Sequence, residues 1–354
     1  MTRIYLVRHA EAEGNIYRRA HGHHEGRVTA KGYVQIGLLR ERFLEEKIDA
    51  VYSSDLHRAC ETAAALAGPR GLPIIKTEML REVDLGVWED RAWGDIERAD
   101  PQMSRFFSFD PERWSVEGSE SFDGAAARAA QFIKDTAALH DGQTIAFFSH
   151  GFTIRAFFTK LLGRRSDEVS EVGYFDNTAV ALLAFENGEL AIEYRGDNSH
   201  LSSESSTFAH QTWWRTEKRW LSENLRYSPL DPERDEALVR QCLLETGEAS
   251  RPEKEYAAFL RDEPIGIVGF GLAGGGDDAG WISYIFIRPE KRNANYGVQL
   301  LGLAVSEFRK LRREYLRAFA PSGSPAAGFY RKYGFETVSE AEGLCLMQKY
   351  IRIW

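Results

Sequence analysis

Residues 4–9 read Ile4-Tyr5-Leu6-Val7-Arg8-His9: four apolar residues in a row, then a cation and an imidazole. A run that short and that apolar is a strand buried on both faces, as in parallel sheets. Arg8 and His9 then stand at the strand's carboxyl end, where ligands sit in such sheets. The same arrangement returns at Thr144-Ile145-Ala146-Phe147-Phe148-Ser149-His150-Gly151. Two strands that each run out into a histidine predict one sheet with both imidazoles at the same edge.

Between and after these strands, short apolar runs alternate with helical patterns. Ala30 to Glu46 reads as an amphipathic helix, Ala50-Val51-Tyr52 as a strand, and Arg58 to Ala67, Asp123 to Leu139 and Phe152 to Leu162 as helices. The recurrence of strand, loop and helix predicts an α/β fold over residues 1–200. It takes the form of a three-layer α/β/α sandwich whose mainly parallel sheet is covered on both faces.

The chain of 354 residues exceeds what one hydrophobic core usually covers, so two domains are expected. With 43% hydrophobic and 28% charged residues it can bury sizeable cores. A net charge of −8 argues against a broad nucleic-acid surface. Cys60, Cys242 and Cys345 are widely spaced and odd in number, which gives neither a disulfide framework nor a CxxC metal site and fits a reducing cytoplasm. No apolar run approaches the roughly 18 residues needed to span a bilayer, so no membrane partner is expected.

Four fragments carry groups suited to one phosphate: Arg8-His9, Ser54-Asp55-Leu56-His57-Arg58, Leu80-Arg81-Glu82 and Ser149-His150-Gly151. A neutral imidazole can attack phosphorus if cations hold the phosphate oxygens and cancel their repulsion toward the nucleophile. Arg8 and Arg58 offer planar forks for bidentate contact, and His150 a further donor. Glu82 could protonate a departing alkoxide, its proton retained by a phosphate dianion alongside, and later take a proton from water. Each fragment has a plainer reading as a structural histidine, a solvated arginine or a turn; the conjunction, in this order, is what points to phosphate.

At these residues the chain resembles the histidine phosphatase superfamily, which includes phosphoglycerate mutases and broad-specificity phosphatases. The resemblance runs over residues 1–200 and also takes in Asn15, Thr29-Ala30-Lys31-Gly32 with Gln35, Thr62, Gly86, Trp88-Glu89 and Gly118-Ser119-Glu120-Ser121. It implies a phosphoglycerate mutase-like fold without a metal or other cofactor. His9 would be the phosphorylated nucleophile, Glu82 the proton donor, and Arg8, Arg58 and His150 the phosphate pocket. Asn15, Ser149 and Gly151 would contact substrate; His21, in a loop expected near the mouth of the pocket, is a further candidate for substrate contact. Ala10 stands where the family usually has Gly. No long insertion of the mutase kind separates Glu82 from His150, which favours hydrolysis of a small phosphorylated metabolite over a mutase. The His21-Gly22-His23-His24 cluster is read as substrate contact or solvent-exposed loop rather than a metal site.

Residues 201–222 form a linker, with a polar break at Ser202–Ser206 and Trp213, Trp214 and Trp220 on an expected helix that needs cover. From residue 223 to 354 the pattern changes. A short strand at Leu225–Tyr227, a helix from Glu233 to Glu245, a hairpin turning at Arg261-Asp262-Glu263-Pro264 and a turn at Gly274–Asp278 precede the strand Trp281–Ile287. A helix from Gly297 to Lys310, a strand around Tyr315–Phe319 and a helix from Ala326 to Tyr333 come next. The segment Ile285 to Gly297 with Leu300-Leu301, and Ala326 with Phe329 to Phe335, resembles the GNAT family of acetyltransferases. That resemblance implies an α+β acyl-CoA N-acyltransferase domain using acetyl-CoA on a small amine. Backbone groups of Ile285 and Ile287 would pair the pantetheine arm, and Arg292, Asn293, Asn295, Gly297 and Val298 would cradle pyrophosphate. Tyr330 would protonate the leaving thiolate; its plain reading is a packed aromatic. Asn295 replaces a usual Gly, and Gly323 a frequent Asn. The expectation is therefore a bifunctional cytoplasmic protein, with a mutase and a non-catalytic metabolite-binding regulator as alternatives and the oligomeric state open.

Overall fold

The computed structural model describes residues 1–211, 224–246, 252–271 and 278–353. The expected tryptophan helix at 213–220 and most of the turn at 274–278 lie outside the described residues. By packing, the chain divides into two compact units. The first takes Met1–Ala12, Ala20–Glu89 and the described residues from Asp100 to Gln211. The second takes Glu13–Arg19, Asp90–Ala99 and the described residues from Asn224 onward.

The elements run β1 (Thr2–Arg8), α1 (Glu13–Tyr17), α2 (Ala30–Arg42), β2 (Ala50–Ser54), α3 (His57–Arg70), β3 (Ile74–Thr77), α4 (Trp93–Ala99) and α5 (Pro101–Phe109). Then come α6 (Phe122–Ala138), β4 (Thr144–Ser149), α7 (Gly151–Leu161), α8 (Val169–Val172), β5 (Val180–Glu186) and β6 (Glu189–Asp197). The first unit holds a sheet in the order β3-β2-β4-β1-β5-β6, with β3, β2, β4 and β1 parallel and β5 and β6 antiparallel. Alternation along β1 sends Ile4 and Leu6 to a layer with Ile133 of α6 and Phe157 of α7. Tyr5 and Val7 go to a layer with Leu39 of α2 and Leu66 of α3. The result is the three-layer α/β/α sandwich, with its sheet mainly parallel.

Local chemistry sets the helix ends. Thr29 caps α2 by accepting from the Gly32 amide at 2.9 Å, and Ser121 caps α6 by accepting from the Gly124 amide at 3.0 Å. The helix expected to reach Glu46 stops at Arg42. Beyond it the chain tightens, with the Leu44 amide on the Glu41 carbonyl and the Glu46 amide on the Phe43 carbonyl, both at 3.2 Å, and the Arg70 guanidinium from α3 also reaches the carbonyls of Phe43 and Glu46. The β5–β6 hairpin went unread although Asn187-Gly188, both at positive φ, marks its turn.

The second unit runs β7 (Leu225–Pro229), α9 (Glu236–Thr246), β8 (Lys254–Leu260), β9 (Glu263–Gly271), β10 (Ala279–Ile287), α10 (Tyr296–Lys310), β11 (Tyr315–Pro321), α11 (Pro325–Lys332), β12 (Glu336–Ala341) and β13 (Leu344–Tyr350). Its sheet is ordered β12-β13-β11-β10-β9-β8-β7, with only β10 and β11 parallel among neighbours. Pro264 stands inside β9 rather than in the turn. It is placed opposite Phe259, where the β8–β9 register shifts, a position at which the missing amide donor costs little.

Two short segments from inside the span 1–200 pack with this second unit. On α1, Tyr17 lies against Gly302 of α10, where any β-carbon would come within 2.4 Å of the tyrosine. Glu13 pairs with Arg309 at 2.7 Å, both buried, and with Lys349 at 3.5 Å. On α4, Gly94 presses against the backbone of Leu225, and Asp95 accepts from the Tyr227 amide at 2.8 Å.

Candidate active site

In the parallel β1–β4 pair Arg8 lies opposite Ser149, so the next residues along, His9 and His150, leave adjacent strand ends together. Their rings are 5.1 Å apart, centroid to centroid. The His9 amide donates to the Ser149 carbonyl at 2.9 Å, extending the ladder by one residue. His9 Nδ1 lies 2.7 Å from the Ala10 carbonyl, which can only accept, so Nδ1 carries the proton and Nε2 the lone pair. Burial, then the charges of Arg58 and Arg8, holds the His9 imidazole well below the ordinary histidine range. It is a neutral ring with a lone pair among cations.

Arg8 and Arg58 are both buried. Burial works against their charge; Asp176 and Glu82 offset this for Arg8, and Glu25 and Glu82 for Arg58. Arg58, in the first turn of α3, donates to the carbonyls of Gly22 at 2.7 Å and His24 at 3.1 Å. Arg8 donates through Nη1 to the Phe175 carbonyl at 2.5 Å, while its buried Nε has no hydrogen-bond partner among the described residues. That Nε would lie 3.1 Å from a β-carbon at Gly151, so only glycine leaves the guanidinium its place. His150 meets Ser54 Oγ at 2.8 Å through Nε2, and its buried Nδ1 also has no partner among the described residues. Burial, then Arg58 and His9, holds this ring well below the usual range too. Two buried donor positions unmet among the described residues, beside two guanidiniums, suit an anion that brings its own acceptors.

Glu82 caps α7. Its carboxylate accepts the amides of Phe152 at 3.0 Å and Thr153 at 2.8 Å, the first-turn groups a helix leaves unpaired, together with the Thr153 hydroxyl at 3.0 Å. Arg128 donates to the Glu82 carbonyl at 3.0 Å and is itself clasped by Glu120 at 2.7 and 2.8 Å. The loop at residues 22–24 is gathered by Glu89, which accepts the amides of Gly22, His23 and His24 at 3.2, 2.7 and 2.8 Å. His21 in that loop has its ring 4.9 Å from the His24 ring. Ser149 is buried with Oγ donating to the Leu80 carbonyl at 2.8 Å, bracing the strand rather than facing outward. Asn15 stands on α1, which packs with the second unit. His9, Arg8, Arg58, Glu82, His150 and Gly151 are thus brought together. Sequence reasoning quoted Ser54 within its motif without giving it a role of its own, and did not single out Arg128. Ser54 opens the Ser-Asp-Leu-His-Arg motif and could have been found there; Arg128 had no signal beyond its place on α6.

In the second unit, β10 and β11 pair only from Ala279 to Ile282 and then part, while β11 continues to Pro321 against β13. The Arg288 amide donates to Ile265 on β9. Because successive residues alternate edges, the backbone groups of Ile285 and Ile287 therefore face the side β11 has left. Of these, the Ile287 carbonyl is taken by Arg292 Nε at 2.9 Å, and Arg292 also reaches Glu245. The arginine thus turns back onto the fold. Asn293 and Asn295 adopt φ of 62° and 60°, the left-handed conformation asparagine tolerates, just ahead of α10. Gly297 meets the Phe329 ring, and Val298 is buried in the core. Tyr330 is buried against Phe329 and Phe335, and burial pushes its phenol above the ordinary tyrosine range. A parted strand edge beside a left-handed turn into a helix fits the pantetheine and pyrophosphate of acetyl-CoA.

The chain belongs to the histidine phosphatase superfamily (branch 1), whose family model matches residues 4–198. Its C-terminal part is an acetyltransferase (GNAT) domain, matched over residues 253–337. Among relatives, the metal-independent phosphoserine phosphatase of Arabidopsis thaliana is 32% identical over 206 residues, covering 57% of this chain and 84% of that protein. A probable phosphoglycerate mutase, GpmB of Enterobacter sp. (strain 638), is 28% identical over 213 residues, covering 57% and 96%. Among solved structures, YhfR of Bacillus stearothermophilus superposes with a TM-score of 0.55 at 29% identity, over 57% of this chain and 100% of that one. No helix among the described residues is long and apolar enough to cross a membrane.

Proposed function

We propose that the first unit hydrolyses the phosphomonoester of a small metabolite of the phosphoserine or phosphoglycerate kind through a phosphohistidine. The observation that carries this reading is the His9 Nδ1 contact with the Ala10 carbonyl at 2.7 Å, which leaves Nε2 as the free lone pair. Nε2 forms a bond to phosphorus as the bond to the leaving oxygen breaks, and Glu82 gives that oxygen a proton. Arg8 and Arg58 spread the phosphate charge. With Ser54 donating its hydroxyl to His150 Nε2, the His150 Nδ1–H is left to donate to a phosphate oxygen. Water then attacks phosphorus, loses a proton to Glu82, and the phosphorus–nitrogen pair returns to His9. Asn15 is assigned to substrate contact on family resemblance alone, and His21 on its place in the loop that runs to His24. Release of inorganic phosphate from phosphoserine, abolished in His9→Ala, tests the proposal. The relative named as a probable mutase keeps a second reading in play: phosphoryl exchange between glycerate isomers faster than hydrolysis would favour it.

For the second unit we propose transfer of an acetyl group to a small amine. Acetyl-CoA would supply the thioester; Ile285, the Ile287 amide and the turn from Asn293 to Val298 would hold it, and the Tyr330 hydroxyl would return a proton to the departing sulfur. A ligand that binds only the native state must stabilise it, by about 2.7 kcal/mol at a hundred times Kd. The absence of any rise in melting temperature at millimolar acetyl-CoA would refute the assignment.

A further inference from the structure

Phe175-Asp176-Asn177-Thr178, one residue short of β5, reach the backbone carbonyls of Arg8 and His9 and the Arg8 side chain. Asn177 Nδ2 donates to the His9 carbonyl at 2.9 Å. The Thr178 amide donates to the Arg8 carbonyl at 3.2 Å, and the Phe175 carbonyl takes Arg8 Nη1. Asn177 and Thr178 are both fully buried. Thr178 has φ of 60°, a conformation in which its branched β-carbon crowds the following carbonyl, an outlier that persists only where surrounding contacts over-determine it. Those contacts are present. Asp176 accepts from the Asn177 amide at 2.8 Å, the Phe208 amide at 3.2 Å, Ser206 Oγ at 2.6 Å and Asn198 Nδ2 at 3.2 Å. The loop is thus anchored on one side by Asp176 and delivers a side-chain donor to His9 on the other.

We propose that Asn177 is a positioning residue for His9. Its amide fixes the His9 peptide, and so the direction of the ring whose Nδ1 is tied to the next carbonyl, so that Nε2 is presented to phosphorus along one line. Nothing in this assignment gives Asn177 a contact with phosphate, which sets it apart from the arginines. The inference rests on the phosphohistidine reading and deepens it.

The test uses the full chain with p-nitrophenyl phosphate. In Asn177→Leu, of similar shape but with no donor, kcat and the rate of phosphoenzyme formation in a rapid-quench experiment should fall about 10- to 100-fold, the scale set by a displacement of an ångström or less at a reacting atom. KM and the inhibition constant of inorganic phosphate should stay within about twofold. Asn177→Asp should recover turnover relative to the wild type as pH is lowered, because a protonated carboxyl can donate to the His9 carbonyl and an ionised one cannot. Asn198→Ala weakens the same loop through Asp176 alone, and should lower the melting temperature while leaving kcat unchanged. Three outcomes would overturn the proposal: normal turnover in Asn177→Leu; a loss in kcat that Asn198→Ala reproduces at equal loss of stability; or a rise in KM and phosphate inhibition constant with kcat retained. The underlying reading is judged separately, by whether wild-type phosphoenzyme carries its phosphoryl group on His9.

Discussion

Replacing Glu82 by glutamine separates the proton from the charge. The carboxylate receives four donors: Val83 N at 3.0 Å, Thr153 N at 2.8 Å and Thr153 Oγ1 at 3.0 Å on one oxygen, and Phe152 N at 3.0 Å on the other. A glutamine would turn its oxygen to the side with three donors and leave its NH2 facing the Phe152 amide. One buried hydrogen bond is lost and two donors oppose each other, which costs about 1–3 kcal/mol. At about 2–4 °C per kcal/mol for a unit of this size, the melting temperature should fall by roughly 2–12 °C, and the fold should survive. The chemical effect is larger and depends on the leaving group. A serine-like alkoxide needs its proton as the bond breaks, so phosphoenzyme formation from an alkyl phosphate should slow about 10²- to 10⁴-fold. p-Nitrophenolate leaves without a proton, and its phosphorylation step should slow by tenfold at most. The assay is rapid-quench trapping of phosphoenzyme with both esters, since steady-state kcat also contains the water step in which Glu82 takes a proton. Equal losses on the two esters would refute the general-acid role and leave Glu82 as the cap of α7 alone.

Acid should destabilise the first unit through its buried imidazoles. His9 and His150 are held well below the ordinary histidine range, and burial lowers His200 to about 4. The folded state therefore binds fewer protons than the unfolded chain: these groups cost nothing above pH 6.5, and stability should fall steadily as pH drops from there toward 4 in chemical denaturation. The acid limb of kcat/KM should likewise lie well below pH 6.5. Gly151→Ala, which sets a β-carbon 3.1 Å from Arg8 Nε, should raise KM for phosphate esters and the inhibition constant of inorganic phosphate together, with little change in melting temperature. Glu13→Ala leaves the buried Arg309 without its carboxylate and should destabilise the second unit by about 3–5 kcal/mol, seen as a lowered acetyl-CoA-sensitive transition in calorimetry.

Arg8, His9, Arg58 and His150 were legible because each sits in a short motif at the end of a readable strand or the start of a helix, whereas Glu82, in irregular chain after Leu80, was legible from its Leu-Arg-Glu motif alone. How those residues are held was not. That Glu82 caps the N-terminus of α7 depends on where a helix from seventy residues later comes to rest, and the backbone strain at Thr178 leaves no mark in residue types. Asn187-Gly188 did carry a hairpin signal, and reading it would have supplied the two antiparallel strands that close the sheet. The outline of the acyltransferase half was readable from its own segment. The five-residue α1 was too short to show periodicity, so nothing in the sequence announced that Tyr17 and Glu13 would serve a core more than 280 residues downstream.

That last feature governs what can be exchanged by design. A chimera that replaces residues 224–354 with another acyltransferase must offer a bare glycine where Gly302 receives Tyr17 and a cation where Arg309 meets Glu13. A donor chosen for its catalytic loop alone would present a β-carbon to the tyrosine ring and an apolar wall to a carboxylate. Such a hybrid would fail at a seam lying within the first twenty residues, far from the junction where the splice was made.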